Sequence, residues 1–359
     1  MSRFLSERYS ALVPYTPGEQ PQNRKYVKLN TNESPFPPSP GVKDVVFSEA
    51  EKINLYSDPE SKLIRHALAE HYGLQIEQLI VGNGSDEILN FAFMAFCDDN
   101  TPAIFPDISY GFYPVYADMN RLPYIEVPLN DDLDICIEDY KSLHGTVFLA
   151  NPNAPTGRAK SASELEELLK ARPDSILVVD EAYVDFGAES MLSLLPKYDN
   201  LLVIQTFSKF RSLAGARLGY AAGNPELIRD LNMLKYSTNP YNVNRMTSAA
   251  GIAALRENEY YRKNAQLIVE NREYTESKLS SLGFHVLPSK SNFLFAQVPD
   301  HDGKGLYLKL KERGVLVRHF DKKRISDYVR ITIGTREQME ILIREIQNIL
   351  EVNDNEQKS

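Results

Sequence analysis

The chain has 359 residues, of which 43% are hydrophobic and 25% are charged, a balance typical of globular proteins that excludes a wholly disordered chain. At about 150 residues per domain, this length predicts two domains, or one large domain with a smaller partner. The 40 Lys and Arg against 49 Asp and Glu give a net charge of −9, which disfavours nucleic acid as the main partner.

The first forty residues are predicted to form an extended arm, because the prolines of PYTPG and NESPFPPSP favour extended backbone over helix. From about residue 76 to residue 255, short apolar runs rich in β-branched residues alternate with helical patterns. This alternation predicts a parallel sheet with helices on both faces. The predicted strands are 78–81, 103–105, 124–127, 146–150, 176–179, 201–206 and 218–222, and the predicted helices are 61–72, 85–96, 161–171 and 242–255.

A second unit is predicted to begin after residue 256, where a long polar helix over 258–282 ends at Gly283. An α+β pattern follows, with strands at 285–287, 292–298, 315–320 and 328–333 and helices at 305–313 and 335–352. We therefore expect an α/β fold with a mostly parallel sheet in a large domain and a smaller α+β domain. The predicted divisions are an arm that packs with the small domain, 1–40, the large domain, 41–255, and the small domain, 256–359.

The two cysteines, Cys97 and Cys136, lie in apolar or strand-like runs and form no C-x-x-C pair. We interpret both as buried free thiols in a reducing compartment. The first residues contain no apolar core of a signal peptide, and no stretch approaches the roughly 20 apolar residues of a membrane span. The expected location is cytoplasmic, with no membrane partner.

Three consecutive predicted strands end in polar residues: Asn151 and Asn153, then Asp180 and Tyr183, then Thr206, Ser208 and Lys209. The carboxyl ends of parallel strands form the ligand crevice of an open α/β sheet. A single strand that ends in polar residues would not indicate a site, because loops are usually polar. Three adjacent ends that carry an amide, a carboxylate, a phenol and an amine predict a site.

The segment VGNGSDE, residues 81–87, leads from a strand through glycines directly into a helix. Helix N-termini bind anions through unpaired N–H groups. By itself the segment fits a tight turn capped by Ser85 or Asp86 equally well, and Glu87 stands where a dinucleotide fingerprint needs a small residue. Combined with the strand ends, it predicts a ligand phosphate opposite the amine of Lys209.

This combination resembles the pyridoxal-phosphate enzymes of the aspartate aminotransferase superfamily. The segments KLNTNESPFPPSP, NPNAPTG, VVDEAYVDF, TFSKFRSLAGARLGY and VRITIGTREQM are similar to the histidinol-phosphate aminotransferase subfamily. The resemblance implies pyridoxal 5'-phosphate as cofactor, a homodimer with shared active sites, and small molecules as amino donor and 2-oxo acid acceptor. The implied reaction converts histidinol phosphate and 2-oxoglutarate to imidazole acetol phosphate and glutamate.

Other functions stay open at this point. An aromatic aminotransferase or a phosphothreonine-type decarboxylase would share most of these segments. A non-catalytic binding protein with the same fold is a third possibility, although the reactive residue types are all present. A nicotinamide dehydrogenase is disfavoured by the imperfect glycine pattern.

The resemblance also implies roles for individual residues. Lys209 would bind the cofactor aldehyde covalently and act as the base that moves the α-proton. Asp180 would face the pyridine nitrogen, and Tyr183 would donate to the phenolic oxygen of the cofactor. The family places an asparagine just before Pro-Thr-Gly, but that position is Ala154 here. Asn153 is therefore the candidate for this contact.

The remaining implied contacts form two groups. The cofactor would be held by the N–H groups of Gly84, Ser85 and Asp86, by Thr206, Ser208 and Arg217, by Tyr110 against the ring, and by Tyr56 of the neighbouring subunit. Arg318 and Arg330, with Tyr15 and Asn32, would bind the substrate. The alternatives are core packing for the tyrosines and surface ion pairs for the arginines. His66 and His71 are five residues apart, not the four of H-E-x-x-H, so no metal site is predicted.

Overall fold

The computed structural model describes residues 2–299 and 301–357. Its strands are Val27–Lys28 (β1), Leu79–Asn83 (β2), Ala103–Pro106 (β3), Tyr124–Val127 (β4), Thr146–Ala150 (β5), Leu177–Asp180 (β6), Leu201–Thr206 (β7), Leu218–Gly223 (β8), His285–Val286 (β9), Phe293–Gln297 (β10), Val315–Leu316 (β11), Arg318–His319 (β12) and Tyr328–Thr332 (β13). Its helices are Pro40–Ala50 (α1), Lys62–Tyr72 (α2), Ser85–Phe96 (α3), Tyr113–Asn120 (α4), Glu138–Lys141 (α5), Ala162–Ala171 (α6), Pro225–Thr238 (α7), Arg245–Arg256 (α8), Asn258–Ser281 (α9), Gly303–Glu312 (α10) and Arg336–Gln357 (α11).

The large sheet has seven strands in the order β2-β8-β7-β6-β5-β3-β4. The strands from β7 to β4 are parallel, whereas β8 is antiparallel to both of its neighbours, β2 and β7. The prediction of a mostly parallel sheet is thus confirmed. Helices α1, α4, α5 and α7 were not predicted. For α7 the available signal was Asn224, whose side chain accepts from the Glu226 N–H, followed by a proline at the first helical position.

Alternate residues of the central strands pack into different apolar clusters. On β6, Val178 belongs to a cluster with Phe93 of α3, whereas Val179 belongs to a larger cluster with Leu168 of α6. Successive side chains of a strand point to opposite faces, so helices bury both faces of the sheet. This burial fixes the strands and therefore the positions of the polar residues at their ends.

The smaller unit contains a four-stranded antiparallel sheet in the order β12-β13-β10-β9, which confirms the expected α+β arrangement. The predicted strand 315–320 is divided, because β11 pairs with β1 of the arm and β12 pairs with β13. The arm also contacts β13 directly, since Thr332 N–H donates to the Leu29 carbonyl at 2.9 Å. These contacts place the arm against the small sheet. The division into an arm, 1–40, and domains over 41–255 and 256–359 stays a prediction.

Two further sequence expectations concern the cysteines and the membrane. Both thiols are free, but only Cys97 is buried and Cys136 is half-buried, which corrects the expectation for Cys136. No helix within residues 2–299 and 301–357 combines the length and apolarity needed to cross a bilayer.

Candidate active site

The polar residues at the ends of β5, β6 and β7 lie at the same edge of the sheet, as a parallel arrangement predicts. In the register of the sheet, Asp180 is paired with Ala150 on β5 and with Ile204 on β7. A cavity of about 390 Å³ opens at this edge, and we call it the strand-end cavity. It is lined by Gln20, Thr31, Glu33, Ser85, Asp86, Tyr110, Ala150, Ala154, Asp180, Ala182, Tyr183, Thr206, Ser208, Lys209, Ala214, Gly215 and Arg217.

A second cavity, of about 300 Å³, adjoins the first and is called the arm cavity here because the N-terminal arm forms one wall. It is lined by Tyr15, Thr16, Gly18, Asn30, Thr31, Asn32, Ile108, Ser109, Tyr110, Gly111, Ala154, Pro155, Tyr183, Lys209, Arg318, Phe320, Lys322, Ile325 and Arg330. Thr31, Tyr110, Ala154, Tyr183 and Lys209 line both cavities. The amine of Lys209 therefore lies where the two spaces meet.

Two glycines allow a close approach of backbone and guanidinium at one end of the strand-end cavity. Gly84 has a φ of +78°, and a Cβ there would lie 2.6 Å from Nη2 of Arg217. A Cβ on Gly219 would lie 2.3 Å from the backbone N of Ser85. Glycine is needed at both places. The first N–H groups of α3 and the Arg217 fork are thereby brought to the same end of the cavity.

The N–H groups of this cradle are not all available. The Gly84 N–H donates to the Gly82 carbonyl at 2.9 Å, which removes Gly84 from the predicted set of donors. Ser85 and Asp86 occupy the first turn of α3, where N–H groups have no partner within the helix. Thr206 Oγ1 and Ser208 Oγ lie 3.0 Å apart at the same end, and the Arg217 Nη1 contacts Ser208 Oγ at 3.5 Å. An anion can thus be held by backbone, hydroxyl and guanidinium donors together.

The Asp86 side chain was not predicted to take part, and it carries a carboxylate into the cavity. Its Oδ2 pairs with Arg217 Nη2 at 2.8 Å, and its Oδ1 accepts from the Tyr110 hydroxyl at 2.5 Å. A bound anion has to share Arg217 with this carboxylate. Tyr110 lines both cavities, as a residue against a ring ligand must, but its hydroxyl is fixed by Asp86.

Lys209 is a half-buried amine with one hydrogen bond, to the Thr31 carbonyl at 3.3 Å. Burial, and then the positive charge of Arg330, lower the pKa of Lys209 to about 8. The positive charge of Arg217 also lowers the pKa of Lys209, but its effect is smaller than that of Arg330. Roughly a tenth of the amine is neutral at pH 7, and a neutral amine is both a nucleophile and a base.

Asp180 is only 5% exposed. Burial, and then the charge of Asp86, raise the pKa of Asp180 to about 7, although the Ala182 N–H and the Tyr113 hydroxyl donate to the carboxyl at 3.1 Å and 3.4 Å. A buried carboxylate needs a donor or a cation as partner. The cavity side of Asp180 therefore favours a ligand with a protonated nitrogen.

Tyr183 and Asn32 form one unit. The Asn32 Nδ2 donates to the Tyr183 hydroxyl oxygen at 3.0 Å, and Asn32 itself is 1% exposed with a φ of +55°. Thr332 fixes Asn32, because Thr332 Oγ1 accepts from the Asn32 N–H at 2.9 Å and donates to Oδ1 at 3.0 Å. Burial raises the pKa of Tyr183, so its hydroxyl keeps a proton that it can donate.

The structure does not bring Asn153 to either cavity. Its Nδ2 donates to the Ile108 carbonyl at 3.0 Å and to Thr156 Oγ1 at 3.2 Å, and its Oδ1 accepts from Ser109 Oγ at 2.7 Å. Both N–H donors are used inside the protein, so Asn153 has none for a ligand oxygen. The residue that faces both cavities is Ala154, which leaves Tyr183 as the donor at this position.

The predicted substrate residues meet in the arm cavity. Arg318 donates to the carbonyls of Thr16 and Pro17 at 3.0 Å and 3.2 Å, and Arg330 donates to the Asn30 carbonyl at 3.2 Å. The ring of Tyr15 stacks on Phe112 with centroids 4.2 Å apart. Neither arginine forms an ion pair with a carboxylate in the described residues, so the alternative of surface ion pairs is not what the structure shows.

Tyr56 lies away from both cavities of its own chain. It is 79% exposed, its ring stacks on Tyr241 at 4.6 Å, and its carbonyl accepts from Arg245 at 2.9 Å. Its predicted contact with a neighbouring subunit stays a prediction. Sequence reasoning did not identify Glu33, Tyr113 or Lys322. Glu33 and Lys322 line the cavities from loops, and Tyr113 reaches Asp180 from α4.

The donor set of the strand-end cavity fits pyridoxal phosphate. The Gly84 and Gly219 cradle suits a phosphate, the buried Asp180 suits a pyridine nitrogen, and the partly neutral Lys209 suits an aldehyde. These three features lie in one cavity.

Comparisons with known proteins give the same picture over nearly the whole chain. The family model "Aminotransferase class I and II" matches residues 24–346. The histidinol-phosphate aminotransferase of Brachyspira hyodysenteriae is 48% identical over 352 residues, which cover 98% of this chain and 99% of that protein. The histidinol-phosphate aminotransferase of Clostridium beijerinckii is 45% identical over 357 residues, which cover 99% and 100%.

A solved structure extends the similarity to the fold. The histidinol-phosphate aminotransferase of Sinorhizobium meliloti, in complex with pyridoxal-5'-phosphate, has a TM-score of 0.83 at 25% identity. The match covers 91% of this chain and 92% of that one.

Proposed function

This chain belongs to the aminotransferase class I and II family, and from that premise we propose that it transfers the amino group of histidinol phosphate to 2-oxoglutarate. The products are imidazole acetol phosphate and glutamate, and the cofactor is pyridoxal phosphate. One observation carries the proposal beyond the family. At Lys209 the strand-end cavity opens into the arm cavity, whose charged lining residues in the described chain are all cationic.

The chain's own groups divide the chemistry between them. Pyridoxal phosphate, when bound, supplies an aldehyde and a ring that accepts the electron pair left by the departing α-proton. Lys209 takes that proton on Nζ and returns it, which its pKa of about 8 allows near neutral pH. The buried Asp180 would face the ring nitrogen of the bound cofactor, and its carboxylate form would favour the protonated nitrogen.

Tyr183 adds a hydrogen bond. Because Asn32 already donates to the Tyr183 oxygen, the tyrosine proton points elsewhere and is available to the oxygen of the cofactor ring. The first turn of α3, Ser208 and Arg217 would hold the cofactor phosphate.

The two substrates present different anions to the arm cavity. Glutamate carries an α-carboxylate, whereas histidinol phosphate carries a phosphate ester on the neighbouring carbon. A guanidinium fork accepts paired oxygens from either group. Arg318 and Arg330 can therefore serve both half-reactions in turn.

Substrate assays test this proposal against an aromatic aminotransferase and a phosphothreonine-type decarboxylase. Purified enzyme is given histidinol phosphate, phenylalanine or phosphothreonine, with glutamate formation and carbon dioxide release as readouts. We expect kcat/KM to be at least about tenfold higher for histidinol phosphate, because one matched charged contact contributes this much. Higher kcat/KM for phenylalanine, or carbon dioxide from phosphothreonine, would replace the proposal with the corresponding alternative.

We also propose that two copies of the chain form a homodimer in which Tyr56 completes the partner's cofactor site. A groove of about 790 Å³ lies between α1, α2 and α8. Leu63 lines this groove and is 74% exposed, and Phe47 of α1 is 79% exposed. Large exposed apolar side chains on helices that line one groove favour a protein partner. The loop after Tyr56 is held in place, because the buried Lys235 donates to the Pro59 carbonyl at 2.6 Å.

Mixed dimers test the shared site. When Lys209→Ala and Tyr56→Phe subunits exchange, a heterodimer has one site with both defects and one with neither. Activity above the mean of the two parent homodimers is expected. A mixture that shows subunit exchange but only the mean activity would place Tyr56 outside the partner's site.

The cellular location belongs to the same proposal. Two free cysteines are in keeping with a reducing compartment, and a biosynthetic transamination of small metabolites suits the cytoplasm.

A further inference from the structure

The two cavities differ in the sign of their charged lining residues. The strand-end cavity has the carboxylates of Glu33, Asp86 and Asp180 beside its two cations, Lys209 and Arg217. The arm cavity has four cations, Lys209, Arg318, Lys322 and Arg330, and no Asp or Glu among its described lining residues. Four positive charges are more than the single negative charge of a carboxylate substrate requires.

Three of the four cations have fixed positions. Lys209 contacts the Thr31 carbonyl. Arg330 contacts the Asn30 carbonyl, and its guanidinium lies 5.3 Å and 5.5 Å from the ring centroids of Phe293 and Phe320. Arg318 contacts two arm carbonyls. Lys322 differs from all three. It is exposed, and its ammonium has one long contact, 3.5 Å, to the Asp107 carbonyl.

The placement of Lys322 follows from its neighbour Arg324. Both lie in the loop between β12 and β13. Arg324 pairs with the Asp107 carboxylate at 3.1 Å and donates to the Leu129 and Asn130 carbonyls at 2.9 Å each. Arg324 thus fastens the loop to the large sheet unit. Because Asp107 is engaged by Arg324, it does not neutralise Lys322, and no ion pair of Lys322 occurs within the described chain.

We propose that Lys322 is the specificity residue that makes the arm cavity prefer a phosphate monoester over a carboxylate. This inference rests on the proposed function. A phosphate monoester carries between −1.5 and −2 charges near pH 7, whereas a carboxylate carries one. One guanidinium fork satisfies a carboxylate. The additional charge of the phosphate needs a further cation, and a lysine on a loop provides a point charge that adapts to its position.

The experiment compares Lys322→Met with Lys323→Met in the holoenzyme. Lys323 is the adjacent exposed lysine and does not line the arm cavity, so it controls for the loss of one surface charge. Lys322→Arg tests whether another cation at this position restores the rate constant for histidinol phosphate. Steady-state kinetics give kcat, KM and the second-order rate constant kcat/KM for histidinol phosphate, for histidinol without the phosphate, and for glutamate.

We expect Lys322→Met to lower the rate constant for histidinol phosphate about tenfold, through KM with kcat nearly unchanged. The effect on histidinol and glutamate should be at least about fivefold smaller. Lys322→Arg should recover most of the loss, and Lys323→Met should match the wild type.

Two results would overturn the inference, and they are distinguishable. A wild type that prefers histidinol phosphate, together with a Lys322→Met variant that keeps this preference in full, removes the role of Lys322 alone. Equal second-order rate constants of the wild-type enzyme for histidinol and for histidinol phosphate would overturn the proposed function, and with it the role of Lys322.

Discussion

The strand-end cavity and the arm cavity share Lys209 but are built in different ways. The strand-end cavity takes most of its reactive groups from the ends of β6 and β7 and from the first turn of α3, all within one sheet unit. The arm cavity combines the arm, the loop before α4 and the small sheet, which are remote in sequence. One is a rigid edge of a buried sheet, and the other is assembled by tertiary contacts.

This difference matches the two tasks. A cofactor stays bound through both half-reactions. Its cavity can therefore contain both carboxylates and cations, each placed against one group of the cofactor. Substrates alternate between a phosphate ester and a carboxylate, and a uniformly cationic wall accepts both. The comparison predicts that changes in the strand-end cavity affect every substrate, whereas changes in the arm cavity discriminate between them.

The largest effect is expected for Lys209→Ala, which removes the group that both cavities share. The fold should be kept, because no core contact of the sheet depends on the amine. Turnover should fall at least about a thousandfold with every substrate, since base and covalent attachment disappear together. The measurements are kcat, far-UV circular dichroism and the visible absorbance of the cofactor.

Lys263→Ala, at an exposed lysine of α9, is the control for that experiment. Appreciable transamination by Lys209→Ala alone would contradict the assignment of Lys209.

The sequence predicted the strand-end cavity largely because its residues are close together along the chain. Asp180 ends β6 and Tyr183 follows it, whereas Thr206 ends β7 and is followed by Ser208 and Lys209. A polar strand end and a glycine-rich turn before a helix are local patterns that burial then fixes in space. Asn153 differs from these residues, because its side chain bonds to Thr156 within the turn and also to the Ile108 carbonyl, 45 positions away.

The sequence could not predict how remote segments complete the site. Asn32 reaches Tyr183 across 151 positions, and Thr332 reaches Asn32 across 300. The position of Lys322 depends on Arg324, which holds their loop in place by bonding to Asp107, 217 positions away. None of these contacts follows from periodicity or spacing, because they exist only after the arm and both sheets have packed.

Gly219→Ala tests the rigid side of the comparison. A methyl group there would lie 2.3 Å from Ser85 N and 2.5 Å from Gly84 C. These are backbone atoms, so β8 and the first turn of α3 must separate at a cost of about 1–3 kcal/mol. Cofactor affinity should weaken roughly fivefold to 150-fold, measured by titration of the cofactor-free protein.

The control for stability is Gly215→Ala, because a Cβ at Gly215 meets nothing within 4 Å. Gly215 lines the strand-end cavity, so this control applies to the cofactor-free protein only. Urea unfolding of the cofactor-free proteins should show a loss of stability for Gly219→Ala only. Equal stability and equal cofactor affinity of Gly219→Ala and wild type would mean that the cradle does not depend on this close approach.

Arg330→Gln asks whether the arm cavity tunes the shared amine. The Arg330 charge lowers the pKa of Lys209, so its removal should raise that pKa from about 8 toward the ordinary value. The neutral amine should become scarcer below pH 8, about tenfold for each unit of pKa. Cofactor capture by the cofactor-free enzyme, followed against pH, should move its midpoint to higher pH.

Arg318→Gln is the matched control, because Arg318 is not among the main causes of the shift in the pKa of Lys209. The two variants remove the same charge from the same cavity. An unchanged midpoint in Arg330→Gln would mean that the Arg330 charge does not contribute to the pKa of Lys209.

The smallest effect is expected for Tyr15→Phe, which should separate the two substrates. The ring stacks on Phe112 at 4.2 Å, and the absence of a side chain at Gly111 leaves room for it. The variant therefore keeps the wall of the arm cavity and loses one hydroxyl. Because Tyr15 is 36% exposed, water replaces part of the lost hydrogen bond, and kcat/KM for histidinol phosphate should fall only about threefold to tenfold.

The glutamate half-reaction should stay within about twofold in Tyr15→Phe, since a carboxylate has fewer oxygens to satisfy than a phosphate. Tyr26→Phe, at an arm tyrosine that lines neither cavity, controls for a general weakening of the arm. Equal losses with both substrates would place the Tyr15 hydroxyl at the anion position that they share. In that case discrimination would depend on the small-sheet side of the arm cavity, where Arg318 and Lys322 lie.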